Sequence, residues 1–190
     1  MAMQLSQLKD YLFSMGLRFT MRDNDIQTSF ETKKFINPDL EQNITIVISL
    51  DENGEYLRMV AQNLYRFPAD MTEARAVFNA IMSVSWNDNF VSYNYDDLVG
   101  EVQAKMGFPL EDGMLTKLQF QRAINDMVQT IDDNAPFIMG STVELMNYQL
   151  TMLNSKDSQE PGQDFDSFYQ KAGVAKPNSP PHRSNLRLEE

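Results

Sequence analysis

The chain of 190 residues carries 16 basic against 27 acidic side chains and no cysteine, for a formal net charge of -11. So acidic a balance repels a phosphate backbone and disfavours nucleic-acid binding, and the missing thiols exclude disulfides, thiolate zinc sites, iron-sulfur clusters and cysteine nucleophiles together. No charged and apolar leader opens the chain, and no run approaches the roughly 20 apolar residues that cross a bilayer, so a cytoplasmic protein that meets no membrane is expected.

Leu5, Leu8, Tyr11, Leu12 and Met15 recur at helical spacing, and Gly16 follows where a left-handed cap is common, which predicts a first helix of about three turns. Ile26, Thr28, Phe30 and Thr32 then alternate, and after Asn37-Pro38-Asp39 so do Ile44, Ile46, Ile48 and Leu50. Both read as strands with one buried face. Asp51-Glu52-Asn53-Gly54 supplies an Asn-Gly signal for a tight hairpin into a third strand, Tyr56 to Tyr65. The same four residues resemble the start of a calcium loop, but no acid occupies the twelfth place, and the turn reading is favoured.

Pro68 ends that strand. Asp70-Met71-Thr72-Glu73 offers a capping residue and a reciprocal glutamate, and Ala74, Val77, Phe78, Ile81 and Met82 make one stripe of a second helix to about Trp86. Val91, Tyr93 and Tyr95 alternate on a fourth strand, and Leu98, Gly100, Val102, Ala104 and Met106 on a fifth. Glu111, Asp112 and Gly113 form an acidic turn, not a catalytic pair, because neighbours in a turn diverge into water. Thr116 with Gln119 is a capping box, and Leu115 with Phe120 the matching hydrophobic staple, of a third helix through Ile131. Ala135-Pro136 is read as opening a last helix through Met152.

From Asn154 the apolar periodicity ends and Ser, Pro, Gly and Gln dominate. Residues 1–153 are therefore read as one α+β domain and residues 154–190 as a polar, disordered tail. The tail holds five basic and six acidic side chains, which leaves the body 11 and 21 of the 16 and 27. An aromatic island, Phe165, Phe168 and Tyr169 beside Asp164 and Asp166, interrupts the tail as a candidate partner-docking segment, a stray aromatic cluster or a piece that folds back on its own domain.

Catalytic signatures are missing. The only histidine, His182, sits in the tail beside Pro181, and neither phosphate-binding glycine motif occurs. No catalytic, metal or cofactor residue is assigned, and no cofactor is expected. The 13 methionines are read chiefly as core filling, with Met71, Met82, Met106 and Met127 on buried faces, and Trp86 as core or edge of core.

The element order, with Gly107-Phe108-Pro109-Leu110-Glu111-Asp112-Gly113-Met114-Leu115-Thr116 leading into Gln119-Phe120, resembles the YbjN-type family of bacterial regulators, which looks like the type III secretion chaperone fold. The resemblance covers roughly residues 3 to 150. It implies an antiparallel sheet of about five strands packed by helices on one side, in the order α-βββ-α-ββ-α(α), often dimeric and acting through protein contacts without a cofactor. Together these observations point to a non-enzymatic interaction module, a homodimer that binds a partner protein or peptide through an exposed apolar face. The alternative is a small-molecule-binding protein or carboxylate-dependent enzyme with a pocket between sheet and helices, resting on the acids and on Tyr93 and Tyr95.

Overall fold

Alternation of apolar and polar residues sorts the strands into a sheet with one greasy and one wet face. The computed structural model describes residues 2–72, 74–111 and 113–141. It contains strands β1 (Phe19–Arg22), β2 (Asp25–Glu31), β3 (Asn43–Asp51), β4 (Tyr56–Arg66), β5 (Ser92–Asp96) and β6 (Glu101–Pro109), with helices α1 (Leu5–Ser14), α2 (Ala74–Asn87) and α3 (Lys117–Met139). The strands form one antiparallel sheet in the order β1-β2-β3-β4-β6-β5.

Register places Ile46 opposite Ala61, Ile48 opposite Met59, and Met59 opposite Met106. These side chains share one face and are buried, each isoleucine or methionine stabilising by about 1.5–3 kcal/mol. Leu8 and Leu12 of α1, Val77, Ile81 and Val84 of α2, and Phe120, Ile124, Met127 and Ile131 of α3 join them in a single core cluster. The other face presents Ser29, Thr45, Arg58 and Lys105, with Ser49 and Val60 buried among them.

The α+β class and one-sided packing agree with the sequence reading, with four local corrections. First, the sheet has six strands: β1 pairs with β2 through a two-residue turn at Asp23-Asn24. Its pairing is carried by backbone hydrogen bonds, so it needs no apolar alternation. Second, β3 and β4 are joined not by a two-residue turn but by residues 52–55, with Asp51 opposite Tyr56. Glu52, Asn53 and Gly54 all have positive φ there, and a Cβ on Gly54 would collide with the Met3 carbonyl. Third, α2 begins at Ala74 after a turn at Pro68–Met71, and Glu73 of the expected capping box lies outside the described residues. Fourth, Pro136 lies inside α3 and opens no separate helix. An interior proline costs a helix about 3 kcal/mol, yet buried Ala135, Ile138 and Met139 hold the last turn against the core.

Both helix signals that bracket the fold are found as expected. Gly16 has φ +72° after α1, and the Leu17 amide bonds back to the Leu12 carbonyl at 3.0 Å. At α3 the Gln119 amide donates to Thr116 Oγ1 at 3.2 Å and the Thr116 amide to Gln119 Oε1 at 2.9 Å. Leu115 and Phe120 are buried, and the Tyr11 ring of α1 packs 6.1 Å from Phe120 while its hydroxyl donates to the Leu115 carbonyl.

Candidate functional site

Where α2 ends, the Asn87-Asp88-Asn89 break sends the chain back into β5, and a single carboxylate shapes the turn. Asp88 accepts the amides of Phe90 and Val91 at 2.8 and 2.6 Å and the Thr130 hydroxyl at 2.8 Å, so the turn is clamped to α3. Burial pushes the Asp88 carboxyl up, but these three hydrogen bonds outweigh it and hold the group below the ordinary aspartate range. The clamp leaves Phe90 55% exposed, its ring centroid 6.4 Å from that of Phe108 on β6.

Two depressions meet at Phe90 and Asp126. One is apolar, about 280 Å³, floored by Met106 and Phe108, walled by Leu115 and Ala123, and rimmed by Gln119 and Arg122. The other is polar, about 350 Å³, and runs between Asn87–Asn89 and the third to fifth turns of α3, with Asp88, Asp126 and Asp133 on its lining. Together they make a groove with a greasy end and an acidic end.

The three aspartates do not converge on a common point of chemistry. Asp88 serves the turn, Asp126 pairs with Arg122 at 3.5 Å, and Asp133 takes Lys34 Nζ at 2.6 Å. That Lys34 hydrogen bond holds the Asp133 carboxyl below its usual value. Among the described residues no group of three or more His, Asp or Glu is placed to hold a metal. The groove can hold an apolar side chain beside a cation.

Other residues picked out from the sequence lie elsewhere. Tyr95 stacks on Phe67 at 5.1 Å and donates to the Phe67 carbonyl at 2.8 Å. Tyr93 and Tyr65 are buried hydroxyls with no hydrogen-bond partner among the described residues, and burial pushes both phenols up. The Tyr93–Tyr95 face therefore packs against the core and does not line the groove. Glu111 is exposed in its turn with φ +47°, its amide on the Glu55 carbonyl, and Asp112 lies outside the described residues. So do His182 and the island Phe165, Phe168 and Tyr169. Asp51 of the calcium-like stretch is bound by Arg58 Nε at 2.7 Å.

Met71, Met106 and Met127 are buried as expected, but Met82 is 63% and Trp86 88% exposed. Four residues apart, they share one outward stripe of α2, because helical period carries this stripe away from the Val77–Ile81–Val84 core face. Leu98 is 90% exposed too, since a turn closed by the Gly100 amide on the Asp96 carbonyl occupies residues 96–100 before β6 starts. Phe90, Phe108, Arg122 and Asp126 were not singled out by the sequence, because they come from three elements distant in the chain. The one local signal was the Asn-Asp-Asn break before an aromatic.

No protein-family model matches the sequence, and no curated protein is similar to it. Solved structures are similar in fold. The crystal structure of YbjN from E. coli, described as a candidate transcription regulator, superposes with a TM-score of 0.51 at 14% identity, over 69% of this chain and 90% of that one. The fold resembles that of YbjN. A chain of the HopA1-SchA chaperone-effector complex gives a TM-score of 0.43 at 12% identity over 66% and 88%, and one of the ExsC-ExsE complex 0.45 at 17% over 69% and 93%. At these identities the YbjN likeness speaks for the fold alone. No helix among the described residues is long and apolar enough to cross a membrane.

Proposed function

We propose that this chain is a non-enzymatic protein-interaction module of the cytoplasm that holds a partner peptide in the groove between the residue 87–91 turn, β6 and α3. The observation that carries the reading is the adjacency of an apolar slot and an acidic trough sharing Phe90 and Asp126. A peptide with an aromatic or branched side chain followed within a few residues by Lys or Arg fits both halves. Recognition by an apolar anchor in a pocket with charges at the rim is the usual economy of such sites. The chaperone-effector and regulator descriptions of the structural neighbours fit this reading. The Met82–Trp86 stripe is the face we assign to the homodimer.

A small-molecule ligand is the weaker reading, because the polar groups of the trough are engaged with the chain's own residues, Asp88 with Phe90, Val91 and Thr130, Asp126 with Arg122 and Asp133 with Lys34. Selection of displayed random peptides on the purified full chain tests the peptide reading. Enrichment of apolar-then-basic sequences, abolished by Phe90→Asp, is expected. Peptides that bind equally well to the Phe90→Asp chain would discard the groove. Sedimentation of the wild type against Trp86→Glu tests the dimer, which the substitution should dissociate.

A further inference from the structure

The groove lies on the same helix that delivers the chain to its last 49 residues. From Ala123, beside the slot, to Met139 at the end of α3 is a span of about 24 Å at the helical rise. About 24 residues then separate Ser141 from Phe165, and at up to about 3.3 Å per residue the chain is long enough to return over that span to the slot.

Charge order matches as well. Residues 165–169 supply Phe165, Phe168 and Tyr169 with one acid, Asp166, and after it positions 167–188 carry Lys171, Lys176, Arg183 and Arg187 with no acid among them. The groove runs in the same sense, from the Phe90–Phe108 slot to the trough of Asp88, Asp126 and Asp133. We infer that the chain's own segment 165–176 occupies this groove intramolecularly, with Phe168 or Tyr169 in the apolar slot and Lys171 and Lys176 over the acidic trough, and that a partner peptide must displace it. The assignment rests on the groove as the recognition site, and adds that the site is guarded by an internal competitor.

The lack of native cysteine gives a clean test in the full-length chain. Arg122→Cys, on the exposed slot rim, is paired with Ser167→Cys, and the control pairs Ser167→Cys with Ser29→Cys, an exposed position on the opposite face of the sheet. In a glutathione redox buffer the 122–167 bridge should form within monomers at least about tenfold faster than the 29–167 bridge, the enhancement that a docked over a free tether gives. In the cysteine-free chain, Phe168→Ala with Tyr169→Ala should tighten binding of a selected apolar-basic peptide several-fold. Equal bridging rates would overturn the assignment, and so would 122–167 bridges found mainly in covalent dimers, which would make a second copy's tail the occupant. The two readings fail separately. Peptide binding with equal bridging rates would leave the groove and remove its competitor. Fast bridging with no peptide bound by either chain would leave an internal contact and remove the partner role.

Discussion

The two halves of α3 are built from similar residues and do different work. From Met127 to Met139 the helix is nailed down. Ile131, Ala135 and Ile138 are buried, the Asp132 carboxylate collects the amides of Lys33, Lys34 and Phe35 at 2.7–3.2 Å, and Asp133 and Thr130 tie in Lys34 and the Asp88 turn. From Lys117 to Asp126 it is equally well capped and buries Phe120 and Ile124, but one flank borders the open slot and Leu118 and Arg122 stand in solvent. A recognition surface needs a rigid backing, and here one helix supplies both, its far half fixing the near half in place.

Substitutions should separate the halves. Ile131→Ala, in the anchored half, should cost about 3 kcal/mol through lost burial and a cavity, read from urea unfolding. Asp132→Ala should cost about 2 kcal/mol, since three amides of the residue 33–35 loop lose a charged acceptor. Protection of those amides from hydrogen exchange should fall first. A loss below about 0.5 kcal/mol would show that the loop is held by packing alone and erase the contrast. Thr116→Ala removes the cap of the near half and should cost about 1 kcal/mol, with a smaller loss for Thr116→Ser. Phe90→Ala should change stability by less than about 0.5 kcal/mol, as exposed side chains do. It should nonetheless weaken the selected peptide severely, the split between stability and binding that marks a recognition residue.

Acid is a further probe of the same contrast. Asp88 and Asp133 both have folded values below the ordinary 3.8, so their stabilisation is complete above that value and is lost as pH falls through the lower folded values. Denaturation midpoints followed downward from pH 5 should therefore drop below about pH 4, and drop less steeply in Asp88→Asn. A midpoint unchanged down to pH 2.5 would contradict the hydrogen bonds assigned to both groups.

Much of this fold was legible in the chain. Thr116 and Gln119, Gly16, and the alternation through Ile44–Leu50 and Val102–Met106 are local signals, and each became the predicted cap or buried face. What escaped was set by distant partners. β1 forms because β2 offers it a ladder, not because Phe19-Thr20-Met21-Arg22 is patterned. Trp86 and Met82 read as core because they are apolar at the end of an amphipathic stripe, and only the packing of α2 against β5 and α3 decides which side faces out. The groove was illegible for the same reason: Phe90, Phe108 and Arg122 meet only through the sheet order, although Phe108 lay inside the stretch that carried the resemblance to YbjN.

The Asp132 carboxylate reaches back 97–99 positions to its three amides, and the Tyr11 hydroxyl reaches forward 104 to Leu115. During synthesis on the ribosome the first hundred residues therefore emerge with only α1 and α2 to cover their greasy sheet face and must wait for α3 before the core can close. At about 5–20 residues per second that wait lasts seconds, long enough for nascent-chain holdases to matter to yield.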